Sequence, residues 1–144
     1  MLQEVKVRRK GTIKLKEFVV FEKIRENNIG GGLMTIVHEN MQPVQIPDEH
    51  SEFLEVDISG RFGCIRTINC YGPQENLPIE TRTEFFLELE KRIISAKENK
   101  KLICLQFDAN SKFGKDIIPE SPHEISSNGK ILFEVLKRQD LTLF

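Results

Sequence analysis

The sequence predicts an α/β layered domain with mixed sheets. Short apolar runs of strand length fill the first half, amphipathic helical patterns are confined to the second half, and a continuous apolar run stands between the two helices. With 144 residues, 39% hydrophobic and 30% charged, the chain fits one soluble globular domain that removes roughly two-thirds of its unfolded surface from water.

Phe18-Val19-Val20-Phe21 has the length of a strand, and Gly30-Gly31-Gly32 reads as a hinge or tight loop before a second strand, Leu33-Met34-Thr35-Ile36-Val37. In Leu54-Glu55-Val56-Asp57-Ile58 apolar and acidic residues alternate, which predicts a strand with one wet face. Gly60-Arg61-Phe62-Gly63 turns the chain into Cys64 to Tyr71, a further strand stopped by Gly72-Pro73. From Ile79 to Lys97, Phe85, Phe86, Leu89, Ile93 and Ile94 recur at helical spacing, so this segment should form an amphipathic helix on a sheet. Leu102-Ile103-Cys104-Leu105 reads as a strand buried on both faces that leads to Asp108. After a long polar loop from Lys115 to Ser127, Asn128 is the expected N-cap of a second helix, with Ile131, Leu132, Val135 and Leu136 on one face. Leu141-Thr142-Leu143-Phe144 should begin another strand.

Composition excludes several classes. No run of about 18 apolar residues offers a membrane span, and the N-terminal residues lack the apolar core of a secretory signal. The expected location is therefore intracellular, nuclear or cytoplasmic, with no membrane partner; no protein partner can be inferred. Cys64, Cys70 and Cys104 have no ligand spacing and read as buried thiols. His38, His50 and His123 suggest neither zinc nor a triad. The net charge is -1, yet residues 1 to 25 are basic, whereas Glu39 to Gly60 hold six acids and no Lys or Arg. A basic segment such as Arg8-Arg9-Lys10 could track a phosphate backbone or could be a solvated face.

The sharpest chemical feature is Asp108-Ala109-Asn110-Ser111-Lys112-Phe113-Gly114 after a buried strand. In an extended chain residues i and i+2 point the same way, so the Asp108 carboxylate and Asn110 carboxamide should project together. Such a pair suits phosphate chemistry: the carboxylate orients or deprotonates water, and the amide donates to phosphoryl oxygens. The same residues also favour an ordinary turn. Tyr71, the one tyrosine, is placed at a strand end where its hydroxyl could donate to a phosphate; a core position is the alternative. An EF-hand is excluded because Phe113 and Pro119 stand where Gly and Glu are needed. The triple glycine lacks the spacing of a nucleotide cradle.

Read in order, these segments resemble the endonuclease/exonuclease/phosphatase superfamily, and most closely the endonucleases of LINE-type (non-LTR) retrotransposons. Leu2-Gln3-Glu4 resembles its Gln-Glu-Thr segment, Gly30-Gly31-Gly32-Leu33 its Gly-rich strand entry, and Ile68-Asn69-Cys70-Tyr71-Gly72-Pro73 its strand ending in Tyr-x-Pro. Residues Asp108 to Gly114 resemble Asp-x-Asn-Ala-Lys-x-Gly, and Asn128-Gly129-Lys130-Ile131-Leu132 the Asn-Gly-Arg-Leu-Leu helix of retrotransposon members. The resemblance implies a four-layer α/β sandwich, two packed mixed sheets with outer helices. Residues 1–144 would be the central part of one such domain, incomplete at both ends.

The implied chemistry is hydrolysis of a phosphodiester with Mg2+, or Mn2+ in its place. Glu4 would be the metal carboxylate, Tyr71 would contact the scissile phosphate, Asp108 would position or activate the water, and Asn110 would hold that water or a phosphate oxygen. The implied partner is the phosphate backbone of DNA, in duplex form, along Arg8, Arg9 and Lys10. Two positions depart from the pattern: Phe107 replaces the Gly before Asp108, and Val5 replaces the Thr after Glu4. The family's early Asn-containing strand and its Ser-Asp-His segment have no counterpart in the sequence. Such a fragment is expected to be inactive alone. Two alternatives remain, a non-catalytic remnant that binds DNA or a partner, and a phosphatase or sphingomyelinase-like hydrolase of the same superfamily.

Overall fold

A computed structural model describes residues 1–5, 13–24, 31–61, 63–115 and 117–143. The chain divides into two compact units, Met1–Tyr71 with Ala96–Phe107, and Gly72–Ser95 with Asp108–Phe144. Strands dominate the first unit: β1 (Leu2–Val5), β2 (Phe18–Lys23), β3 (Gly32–His38), β4 (Val44–Gln45), β5 (Phe53–Gly60), β6 (Gly63–Tyr71) and β7 (Leu102–Asp108), whose last residue is counted with the second unit. Helix α1 spans Ile79–Glu98 and α2 spans Ser127–Arg138. Among the described residues this is an α/β fold with two sheets and two α-helices, in agreement with the expected class.

One sheet has the order β1-β3-β2 and the other β4-β5-β6-β7. The pairs β1–β3, β2–β3, β4–β5 and β5–β6 are antiparallel. Leu33, Met34, Val37, Phe53, Leu54, Val56, Ile68 and Cys70 form the buried apolar core of these strands. Burial of such side chains stabilises by about 1.5–3 kcal/mol each relative to exposure. Polar side chains also bridge the two sheets. Fully buried Asn69 on β6 donates to the Leu2 and Met34 carbonyls at 3.1 and 3.0 Å, and its Oδ1 accepts from Gln3 Nε2 at 2.8 Å. Losing Asn69 would remove these hydrogen bonds from the fold, at about 0.5–1.5 kcal/mol each.

The β5 acids are not on a wet face. Glu55 is buried, and both Glu55 and Asp57 are bound by Arg66 from the paired strand β6; Lys101 also reaches Asp57. Period-two alternation reads charge as exposure, but charges supplied by neighbouring segments let this face close. On β7 the reading fails in the opposite sense. Leu102 is 62% exposed, Cys104 is exposed, and Ile103, Leu105 and Phe107 are only half buried. Among the described residues β7 is the edge of its sheet, so no strand covers its outer side. Of the three cysteines only Cys70 is buried, Cys64 being intermediate.

In the second unit, α1 buries Phe85, Phe86, Leu89 and Ile93, while Ile94 lies on the exposed side. Helix α2 buries Leu132, Val135 and Leu136, with Ile131 half buried. The helices are tied by Arg138, which donates to both oxygens of Glu90 at 2.9 and 2.7 Å. The N-cap of α2 is Ser126, whose hydroxyl accepts from Gly129 N, and Asn128 instead lies inside the first turn. The expected strand at Leu141–Phe144 is absent over residues 141–143. There Asp140 turns to φ +47° and Leu141 N donates to the Leu136 carbonyl, a helix-end closure that absorbs these backbone groups.

Candidate active site

Glu4 owes its position to an irregularity in β1. Leu2 pairs with Met34 but Val5 pairs with Gly32, so three steps along β1 answer two along β3. Such a bulge carries one extra residue and re-aims a side chain. Glu4 has φ +55°, a left-handed conformation that costs a residue with a side chain about 1–2 kcal/mol. Gly31 makes room for it: a Cβ there would lie 1.9 Å from the Glu4 carbonyl carbon. The glycines at 31 and 32 are buried, and Gly32 opens β3, so these two serve close backbone approach rather than a hinge; Gly30 lies outside the described residues.

Tyr71 ends β6 half buried, and its hydroxyl donates to Glu4 Oε1 at 3.0 Å. The Glu4 side chain is exposed. Two residues 67 positions apart in sequence thus form one hydrogen-bonded pair on the first unit. The Gln3–Asn69 contact holds β1 against β6 next to this pair, and sequence reasoning missed it. The signal was present as Asn69 between apolar Ile68 and Cys70, since a buried polar group needs partners.

Asp108 and Asn110 belong to the second unit. The Asp108 side chain accepts from Asn110 N at 3.0 Å, closing an Asx turn, and the Asp108 carbonyl accepts from Gly72 N at 2.7 Å. The extended backbone on which the expected parallel projection rested does not continue past Asp108. The strand ends at Asp108, Asn110 takes φ +43°, and its carboxamide donates to the Gly72 carbonyl at 2.8 Å. Two-residue periodicity applies only while the backbone stays extended. Arg8, Arg9 and Lys10 lie outside the described residues.

Behind the turn lies a network that the sequence reading did not foresee. Fully buried Asn128 accepts from Arg82 Nη1 at 3.0 Å and donates to the Pro73 and Asn110 carbonyls at 2.7 and 3.2 Å. Its N–H donates to Glu75 Oε1 at 2.9 Å. Hydrogen bonds from the Ser126 hydroxyl and then the Asn128 N–H hold the Glu75 carboxyl below its usual range. Gly129 brings this turn of α2 close to the loop, because a Cβ there would meet the Lys112 carbonyl oxygen at 2.3 Å.

Among the described residues no three His, Cys, Asp or Glu side chains gather into a cluster for a metal ion. No helix among them is long and apolar enough to cross a membrane. No family model and no curated protein matches the chain. Among solved structures, it is similar to the endonuclease domain of TRAS1, a telomere-specific non-LTR retrotransposon, with a TM-score of 0.62 and 19% identity. The match covers 87% of this chain and 53% of that one, so the chain spans about half the length of that domain. Over most of its residues the protein therefore has a fold similar to part of a retrotransposon endonuclease domain.

Proposed function

We propose that the chain carries part of the site of a divalent-metal-dependent phosphodiester hydrolase that nicks DNA. The observation that carries this reading is the Tyr71–Glu4 pair, in which a strained strand bulge presents an exposed carboxylate to a strand-end phenol. Backbone strain at a polar, exposed position supports a functional role. The fold similarity agrees with the reading, and so does the order of the sequence motifs.

One carboxylate fits a hard cation that keeps most of its water, whereas a closed zinc-type site needs four protein ligands. Glu4 would hold Mg2+ or Mn2+ through its carboxylate, with Tyr71 fixing one oxygen. When bound, the ion supplies charge stabilisation to the phosphate and the leaving oxygen. The Asp108 carboxylate would accept a proton from the attacking water, with Asn110 N–H fixing the rotamer of that carboxylate. The Tyr71 hydroxyl is a donor able to turn from Glu4 to a phosphoryl oxygen. Phe107, half buried, stands immediately before Asp108, and its side chain would limit how closely the backbone there approaches a ligand.

The test is magnesium-dependent plasmid nicking by residues 1–144 beside a form extended through the natural reading frame. Asp108-dependent nicking by the extended form, and little or none by the short one, is the expected result. Release of phosphate from phosphoinositides without nicking would move the assignment to a phosphatase-like hydrolase. A second reading is a chain that binds DNA without cutting it. Salt-sensitive duplex binding with no nicking by either form would establish that one.

A further inference from the structure

We infer that Asn128 is a positioning residue, whose buried carboxamide sets the conformation of the Asp108–Asn110 turn. The inference rests on the reading of Asp108 and Asn110 as the pair that handles water and phosphate.

The geometry leaves the Asn128 amide one orientation. Its Oδ1 faces the Arg82 guanidinium, a group with donors and no acceptor, so its two N–H donors must face the other way, where the Pro73 and Asn110 carbonyls stand. Arg82 is itself fixed, since its Nε donates to the Leu77 carbonyl at 3.1 Å. Asn128 and Arg82 are 0% and 8% exposed, so water cannot readily replace either partner. The carboxamide therefore clamps two backbone carbonyls on separate segments, residue 73 and residue 110.

The clamp acts where the backbone turns left-handed. Asn110 holds φ +43°, and two contacts depend on that conformation: its N–H reaches Asp108 Oδ1, and its side chain reaches the Gly72 carbonyl. Pulling the Asn110 carbonyl toward Asn128 fixes the peptide plane that follows this φ. Asn tolerates the left-handed region better than most residues, but a single Asx turn does not enforce it. Asn128 supplies the missing restraint from the first turn of a helix, and Arg82 keeps its amide from flipping.

The test substitutes Asn128→Asp in residues 1–144. Aspartate keeps the size and the Arg82 contact, and replaces both donors with an oxygen that faces two carbonyls. NMR on labelled protein reads the Asn110 carbon shifts and the intraresidue HN–Hα distance, which together report a left-handed φ. Loss of that signature at Asn110, with Leu89 and Leu136 keeping native shifts, is the expected result. Retention of the left-handed signature in a folded N128D protein would overturn the inference. Should N128D not fold, Asn128→Ser, too short to bridge the two carbonyls, decides by the same signals. The readout is conformational and needs no turnover. A lost signature in a chain whose extended form never nicks DNA upholds the clamp and removes the hydrolase reading, and a retained signature in a nicking enzyme does the reverse.

Discussion

Arg66 grips Asp57 with two nitrogens, Nε to Oδ1 at 2.5 Å and Nη2 to Oδ2 at 3.1 Å, and passes its remaining Nη1 to Glu55 at 3.1 Å. Lys101, next to the start of β7, completes the group on Asp57. Replacing Arg66 with Met would leave two carboxylates beside the core with half their compensation. We predict a loss of about 3–5 kcal/mol in urea unfolding, the range for breaking one side of a buried pair. A loss under about 1 kcal/mol would mean that water reaches these carboxylates.

The same group sets a pH limit. Burial opposes ionisation of Asp57, but the hydrogen bonds from Arg66 and Lys101 outweigh it, so the carboxyl titrates below its ordinary value. The sign follows: a carboxyl depressed in the folded state contributes stability that is fully present above the ordinary Asp value, about pH 4. That contribution is lost as pH falls through the depressed folded value. Stability measured from pH 6 downwards should drop more steeply in the wild type than in an Asp57→Asn protein, and parallel curves would sink the idea.

Gly31 and Glu4 make a reciprocal pair. A methyl group at Gly31 collides with the Glu4 backbone, so Gly31→Ala should destabilise by about 1–3 kcal/mol or more, as overpacking does. Glu4→Gly relieves a positive φ at a cost in chain entropy, and should leave stability within about 1 kcal/mol of the wild type. Thermal unfolding of both proteins checks this. A harmless Gly31→Ala would show that β1 does not bulge.

For the metal, the informative comparison is Glu4→Gln with Tyr71→Phe. Paramagnetic Mn2+ should broaden the amide signals of Gln3 and Glu4 in the wild-type protein, and Glu4→Gln should abolish that effect. Tyr71→Phe removes one exposed hydrogen bond, so stability should fall by no more than about 1 kcal/mol and Mn2+ should still bind. Broadening elsewhere, untouched by Glu4→Gln, would displace the site.

The basic segment makes a separate claim. Binding of short duplex DNA should weaken as salt rises, because neutralised phosphates release counterions. Reversing Arg8, Arg9 and Lys10 together should weaken the binding strongly and flatten the salt slope of what remains by about three. An unchanged slope would place the contact elsewhere.

By itself the sequence determined the kinds of element and most of their extents. Apolar period and turn chemistry are local properties, which is why β2, β3, β5, β6, α1 and α2 fall where the pattern puts them. Local pattern also marked Tyr71, Asp108 and Asn110 as chemically notable, whereas Glu4 entered through the family resemblance alone. What it could not contain was the partner of each group. Glu55 looks solvent-facing until Arg66 is placed across the ladder from β5, and Leu102 to Leu105 look doubly buried until β7 is found at a sheet edge. Asn128 passes for a helix cap until Ser126 takes that role and the Asn128 amide meets Arg82, Pro73 and Asn110, from 18 to 55 residues away in sequence. The Tyr71 hydroxyl finds Glu4 across 67 positions, at a bulge made possible by Gly31. Burial and hydrogen bonding of these groups depend on contacts between distant residues, which tertiary packing sets and local pattern does not encode.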